Sequence, residues 1–96
     1  MKALTICQPY AEMIAAGEKL IENRTWRTLY RGPLAIHAGK SREWLEEGDE
    51  RQYPGMVFGA LVCVVTLVGC RRVEDLTGGW ATHEHANGPW CWMLSD

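Results

Sequence analysis

Hydrophobic and polar residues alternate along several short stretches of the chain, which is the pattern of strands with one buried face. The alternation predicts strands at 3–7, 20–25, 34–38 and 90–94. A fifth stretch, 57–68, is rich in β-branched residues and predicts a long buried strand that runs on to residue 76, with Gly59 as a bend or bulge. Sheet structure therefore dominates the prediction.

Helical spacing replaces the alternation in two places. Apolar residues after Tyr10 recur three or four positions apart, Pro9 suits the first turn of a helix, and Gly17 is expected to end it in the left-handed conformation. A second short helix is predicted to begin at Ser41, with Trp44 facing the core and acidic residues facing water.

The resulting order, β-α-β-β-α-β-β, describes an α+β domain that is mostly β. Long strands in so short a chain indicate a small, curved β-barrel that carries the two short helices. The sequence contains no repeat, low-complexity tract or linker, so residues 1–96 are predicted to form a single domain. A chain of this length buries roughly two-thirds of its unfolded surface, which is enough for one core.

Charge divides the chain into two unlike parts. Residues 1–40 hold six basic and three acidic residues, a balance of +3, whereas residues 41–96 hold four basic and nine acidic residues, a balance of −5. The first part therefore offers an attractive field to an anion, although the whole chain has a formal charge of −2. That overall charge argues against a strongly basic nucleic-acid binder.

Cysteine spacing and hydropathy indicate the cellular compartment of the protein. Four cysteines occur without a C-x-x-C pair, and three lie in apolar runs, which is typical of reduced thiols in the cytosol. The first residues lack the pattern of a secretory signal. The longest apolar run is about 15 residues, shorter than the roughly 20 that span a bilayer. We therefore predict a cytoplasmic protein with no membrane partner.

The chemically most informative stretch is 17–24. In a strand from residue 20 to residue 25, Glu22 and Arg24 point to the same face, and Lys19 stands at the mouth of that strand. An acid between two bases is costly in a dry core and has little effect in open water. The pattern therefore predicts that these three side chains converge on a half-open cleft.

The same stretch carries a resemblance to a known family. The sequence G-x-K-x-x-E-x-R spans residues 17–24, and Trp26 follows two positions after its arginine. Four further segments match the same family in order: 8–11, 30–33, 36–38 and 88–92. On these positions the chain resembles the ASCH domain family, which belongs to the PUA-like group of small β-barrels. The resemblance covers most of the chain, and residues 1–40 carry nearly all of its specificity.

The resemblance implies a barrel with a cleft lined by the signature, and a relation to RNA metabolism. Relatives include nucleic-acid-binding domains, a ribonuclease, and small amidohydrolases that remove acetyl groups from modified cytidines. Membership alone does not choose among these activities. The implied partners are RNA, another single-stranded nucleic acid or a modified nucleoside, and no metal or cofactor is required.

The chain departs from the family pattern in two places. Most relatives continue past the late aromatic strand into another strand or hairpin, whereas this sequence stops at Asp96, so we expect a barrel that is incompletely closed at its C-terminus. We expect the exposed sheet edge to be covered by a loop or by a second copy of the chain in a homodimer. The small amidohydrolases also place a threonine where Glu22 stands, so their mechanism transfers only in part.

Three interpretations of Lys19 and Glu22 remain open. In a binding site, Lys19 and Arg24 hold a phosphate or a base edge while Glu22 accepts a hydrogen bond from an exocyclic amine. In a hydrolase, a desolvated Lys19 acts as a base and Glu22 handles a second proton. In a structural role, Glu22 and Arg24 form an ion pair that fixes the cleft, and the domain serves protein partners only.

Basic and aromatic residues are interleaved through 24–42, a combination that suits single-stranded nucleic acid because bases stack on rings while phosphates meet guanidinium groups. Tyr10 and Trp90 add rings suited to base stacking, although tryptophan in a small barrel more often belongs to the core. The predicted binding residues are Tyr10, Lys19, Glu22, Arg24, Trp26, Arg27, His37, Lys40 and Trp90.

Metal and cofactor chemistry find little support in the sequence. The segment 83–85 (His-Glu-His), with Cys91 downstream, contains an H-x-H pair, but it lies in a predicted loop and lacks a second close ligand pair. We therefore expect no metal site, and no Gly-rich phosphate loop or nucleophile elbow indicates a cofactor. Glu84 is a weaker catalytic candidate beside Lys19 and Glu22, since the amidohydrolase relatives use a late glutamate.

Overall fold

Strands and two short α-helices make up most of the regular structure of residues 1–95, the part of the chain that the computed structural model describes. The strands are β1 (Lys2–Ile6), β2 (Ile21–Arg24), β3 (Gly32–Ala38), β4 (Ala60–Arg72) and β5 (Trp90–Ser95). The helices are α1 (Tyr10–Ala15) and α2 (Asp49–Gln52), and 3-10 turns follow β4 at Val73–Asp75 and Gly78–Trp80. Within residues 1–95, no helix is long and apolar enough to cross a lipid bilayer.

The strands form one mixed sheet in the order β1-β3-β4-β5-β2. β1 runs parallel to β3, with Leu4 opposite Ile36, whereas the other three neighbouring pairs are antiparallel. The sheet curls into an open half-barrel, and the gap lies between the edge strands β1 and β2 because the C-terminal strand β5 is paired on both sides. The predicted α+β fold, mostly β and built as a small barrel with two short helices, is confirmed.

The concave side of the curled sheet encloses the main core. Leu34, Ile36 and Ala38 of β3 are buried there, as the alternation in that strand predicts. Buried residues of β4 and β5 join them, and α1 packs Ala11 and Ile14 against the same cluster. Removal of this apolar surface from water is the main force that holds the sheet curled around α1.

A smaller apolar cluster lies on the opposite face of β2 and β5. Ile21, Cys91 and Met93 are buried there against Leu76 and three partly buried residues of the segment 73–86. This segment therefore covers the outer face of the two strands. Its far end is thereby brought close to β2, beside the gap in the barrel.

Two predicted elements differ from the structure. The second helix does not begin at Ser41, because α2 starts only after Gly48, whose φ of 95° is left-handed and interrupts any helix that would run through it. The prediction that Trp44 faces the core is wrong, since 54% of this residue is exposed. β4 ends at Arg72 instead of running to residue 76, and the chain turns there into 3-10 structure.

Candidate functional site

A cavity of about 500 Å³ opens where the half-barrel is not closed, between β1 and β2. We call this cavity the cleft. Its wall is formed by the end of β1, the first residue of α1, Lys19, the strand β2, and parts of two loops. The lining residues are Thr5, Ile6, Cys7, Tyr10, Lys19, Glu22, Asn23, Arg24, Trp44, His85 and Asn87.

The ion cluster on the cleft wall follows from the local sequence. Gly17, with a φ of 78°, turns the chain after α1, and Lys19 lies two residues before the start of β2. Glu22 and Arg24 are two residues apart on β2 and project to the same face. Lys19 Nζ lies 3.4 Å from Oε1 of Glu22, and Arg24 Nη2 lies 3.0 Å from Oε2. The buried carboxylate is tolerated because a cation stands on either side of it.

Lys19 is the most deeply buried charged residue of the cleft, with 3% of its surface exposed. Its ammonium group donates a hydrogen bond to the carbonyl oxygen of Ile21 at 2.5 Å and lies 5.6 Å from the centre of the Tyr10 ring. Burial lowers the pKa of Lys19 below its ordinary value, and the neighbouring Glu22 carboxylate opposes that shift. A lysine in this setting holds a proton less firmly than a surface lysine does.

Arg24 spans the gap between the two edge strands. Its Nη2 donates a hydrogen bond to the carbonyl oxygen of Thr5 at 2.8 Å, so a side chain of β2 satisfies a backbone group of β1 that no strand pairs. The guanidinium carbon also lies 5.4 Å from the centre of the Trp26 ring. Arg24 therefore bridges part of the gap and connects the ion cluster to β1. Pairing of a second copy along either edge stays a prediction.

Asn23 is a site residue that sequence reasoning missed. Its Nδ2 donates to the carbonyl oxygen of His85 at 2.8 Å, and its Oδ1 accepts from the backbone N–H of Asn87 at 3.0 Å and of Gly88 at 2.8 Å. These bonds fasten the loop 85–88 to β2 and place His85 and Asn87 on the cleft wall. An available signal was asparagine inside a predicted strand, where this residue type is depleted.

His85 lines the cleft, although the sequence marks it only as a metal-ligand candidate. Burial, followed by the positive charge of Lys19, lowers the pKa of His85, so the imidazole is neutral at neutral pH. Its Nε2 and the Nε of Arg24 are both buried without a hydrogen-bond partner in the described chain. Buried polar atoms usually form hydrogen bonds with protein, water or ligand, so two side-chain nitrogens that lack a hydrogen bond belong to residues of the cleft wall.

The predicted binding residues divide into two sets. Tyr10, Lys19, Glu22 and Arg24 line the cleft, together with the unpredicted Trp44. The others do not line it: Trp26, Arg27, His37, Lys40 and Trp90. The cleft is thus lined by only four of the predicted binding residues. Part of its wall comes instead from His85 and Asn87, which lie far along the chain.

The residues outside the cleft have other neighbours. Trp26 is half exposed and stands edge-on to Trp92, with ring centres 5.8 Å apart. His37 Nδ1 lies 3.2 Å from the Thr5 hydroxyl, and Trp90 packs against the main core beneath Arg72. Trp90 therefore takes the core role that tryptophan usually has in a small barrel.

Three further predicted residues are exposed to solvent. The hydrocarbon chain of Lys40 runs beside Gly59. Arg27, which follows Trp26 in the sequence, is exposed. Glu84, the weaker catalytic candidate, has an 82% exposed side chain and does not line the cleft. The His83 and His85 rings are 5.5 Å apart, and no group of three or more metal-ligating side chains converges within residues 1–95.

Comparison with known proteins identifies a family. The sequence model of the ASCH domain matches residues 4–89 of the 96-residue chain, a span that includes every residue on the cleft wall. The search of curated proteins found no match to this chain.

Proposed function

The chain belongs to the ASCH domain family, and on that premise we propose that it binds single-stranded RNA or a modified nucleobase in the cleft between β1 and β2. ASCH domains are generally nucleic-acid-binding modules of the PUA-like type. The observation that carries the proposal is the cluster of Lys19, Glu22 and Arg24 on the wall of a cavity beside two aromatic rings.

The size of the cleft supports a single unpaired base as its occupant. A volume of about 500 Å³ lies within the range of small-ligand pockets. A base stacked inside a duplex does not reach such a cavity, whereas an unstacked base enters and exposes its hydrogen-bonding edge. Tyr10 and Trp44 both line the cleft and offer rings on which that base stacks.

The charges of the cleft complement a nucleotide. Glu22 balances one of its two basic neighbours, so the cluster of Lys19, Glu22 and Arg24 keeps a net charge of about +1 toward phosphate. Each Glu22 oxygen has a further lone pair, which accepts a hydrogen bond from an exocyclic amine of a base. The same cluster therefore offers both attraction for the backbone and a means of reading the base.

RNA titration tests the proposal. We expect short single-stranded RNA to bind at low salt and to bind more weakly as salt rises, because bound phosphates release counterions. Arg24→Gln removes a cation from the cleft and should weaken binding by about tenfold, the cost of one charge-assisted contact. Arg71→Gln is the matched control, since Arg71 is exposed on β4 and lies outside the cleft.

Fluorescence anisotropy at two salt concentrations measures both variants, with circular dichroism as the check that each is folded. Equal losses in Arg24→Gln and Arg71→Gln would show that binding depends on general charge and not on the cleft. Binding that is insensitive to both substitutions and to salt would place the ligand elsewhere on the molecule.

Hydrolysis of an acylated nucleoside or of RNA is the second candidate function. It is favoured by a buried lysine whose pKa is lowered and whose ammonium group lies beside a carboxylate. Incubation of acylated nucleosides and short RNAs with the protein, followed by chromatography, would detect product that disappears in a folded Lys19→Ala variant. If neither binding nor product is detected, a domain with protein partners only is the remaining interpretation.

A further inference from the structure

A second cavity, of about 320 Å³, lies outside the cleft around α2 and the segment that follows it. Its lining residues are Arg42, Glu50, Tyr53, Pro54, Met56 and Phe58, and none of them lines the cleft. The Arg42 guanidinium carbon lies 3.9 Å from the centre of the Phe58 ring, which is close stacking contact. An arginine stacked in this way keeps its N–H edge free to meet a phosphate in the plane of the guanidinium group.

Trp44 and Arg42 bring the two cavities close together. Trp44 lines the cleft, whereas Arg42 lines the second cavity, and one residue separates them. Their Cα atoms are therefore at most about 7.6 Å apart, the length of two trans peptide units. Trp44 is also 54% exposed. An exposed ring on the cleft wall, so close along the chain to the second cavity, is suited to stacking on a base of a strand that runs from one cavity to the other.

We infer that nucleic acid whose base occupies the cleft continues across Trp44 into the second cavity, where Arg42 binds the phosphate of the next nucleotide. The occupant is thus an oligonucleotide of two or more nucleotides, whereas a free nucleoside fills the cleft and leaves the second cavity empty. Resting on the function proposed above, this assigns a further nucleotide subsite to Trp44, Arg42 and Phe58.

The second cavity has a fixed frame. The Tyr53 hydroxyl donates a hydrogen bond to the Glu18 carboxylate, which connects the end of α2 to the turn after α1. That bond raises the pKa of Tyr53 to about 12, so the residue remains a neutral donor at neutral pH. Since Glu18 is followed directly by Lys19, the same turn supports both the cleft and the second cavity. The spacing between the two cavities is therefore set by the fold.

Glu50 competes with phosphate for Arg42. The Glu50 carboxylate lies 3.8 Å from Arg42 Nη1, and both side chains are largely exposed. Exposed pairs of this kind are weak, and a bound phosphate replaces the carboxylate as the partner of the guanidinium group. Removal of the Glu50 charge should therefore strengthen binding of the longer ligands, which a purely structural Arg42–Glu50 pair would not do.

A length series tests the subsite. Isothermal titration calorimetry with homo-oligoribonucleotides of each base, from the mononucleotide to the trinucleotide and longer, should show affinity that rises about tenfold as the second subsite is filled. Arg42→Ala should abolish most of this rise while binding of the mononucleotide is unchanged. Arg51→Ala, on α2 but outside the second cavity, is the matched control, and Glu50→Gln should increase trinucleotide affinity.

Three results would overturn the inference. If mononucleotides bind as tightly as trinucleotides, the second subsite does not exist, although the proposed function of the cleft stands. If Arg42→Ala and Arg51→Ala weaken trinucleotide binding equally, the effect is one of general charge. If no oligonucleotide of any length binds, the proposed function fails together with the subsite.

Discussion

The two faces of β2 serve different ends, although the strand has only four residues. On the cleft face, Glu22 and Arg24 form an ion cluster with Lys19 at the gap in the barrel. On the opposite face, Ile21 is fully buried under the segment 73–86, and Asn23, which also reaches the cleft wall, fastens the loop 85–88. The difference teaches that one strand both presents the charged groups of the cleft and holds the loop that forms part of its wall, so substitutions on its two faces should have separable effects.

Asn23→Ala should give the largest change in stability. The substitution removes a side chain that bonds three backbone groups of the loop 85–88. Loss of these three bonds should lower the free energy of unfolding by about 2–3 kcal/mol, because each bond contributes about 1 kcal/mol. Urea unfolding measures this loss, and Asn87→Ala is the control because its side chain is exposed.

Hydrogen exchange sharpens that result at single amides. In Asn23→Ala the N–H groups of Asn87 and Gly88 lose their acceptor and should exchange much faster, while amides of β3 and β4 change only by the overall loss of stability. Unchanged protection of Asn87 and Gly88 would mean that Asn23 does not hold the loop.

Lys19→Met should have a smaller effect on stability and a large one on binding. The substitution removes a buried charge, and Glu22 keeps Arg24 as its partner at 3.0 Å, so the free energy of unfolding should change by no more than about 1 kcal/mol. RNA affinity should fall by about tenfold, since a cation of the cleft is lost. Urea unfolding and anisotropy on the same sample test the separation, with the exposed Lys2→Met as control. A fold that collapses in Lys19→Met would make the ion cluster structural in role.

The pH dependence of stability at His85 should be the smallest of these effects. Burial and the charge of Lys19 lower the pKa of His85 in the folded chain. His83 acts in the same direction, whereas the Glu84 carboxylate opposes the shift. The unfolded chain therefore binds a proton at His85 at higher pH than the folded chain does. The neutral His85 therefore contributes stability to the folded chain. This contribution is fully present above the ordinary histidine pKa of about 6.5 and is lost as pH falls through the pKa of the folded chain.

His85→Gln isolates that contribution. Between about pH 7.5 and pH 5, the wild type should lose more unfolding free energy than His85→Gln, because the variant has no imidazole to protonate. Urea midpoints at the two pH values provide the comparison. Identical pH dependence in the two proteins would mean that His85 is as readily protonated in the folded chain as in the unfolded chain.

The contrast between the two faces also explains what the sequence could predict. Glu22 and Arg24 share a face because strand geometry alternates locally, and Lys19 is near them through the adjacent turn, so short-range pattern sufficed. The same reasoning located β3 and the apolar face of α1. It could not place His85 and Asn87, because Asn23 reaches them across 62 and 64 positions of sequence, and no periodicity reports such a contact.

The prediction of a helix in the segment 41–48 was wrong for a different reason. Acidic residues spaced around Trp44 favour a helix by pattern, but the left-handed conformation of Gly48 confines α2 to Asp49–Gln52. Trp44 is therefore left on the surface, at the edge of the cleft. An aromatic residue among charged neighbours is assigned to the core by hydrophobicity alone, and only its tertiary surroundings show that it is exposed.

Chemical-shift mapping tests the central claim most directly. Titration of a short single-stranded RNA into the isotope-labelled protein should shift the amide signals of Thr5, Lys19, Glu22, Arg24 and His85, which surround the cleft. Signals of Val64 and Val68, exposed on β4 outside the cleft, should not move. Shifts confined to β4, with the cleft residues unmoved at saturating RNA, would contradict the account.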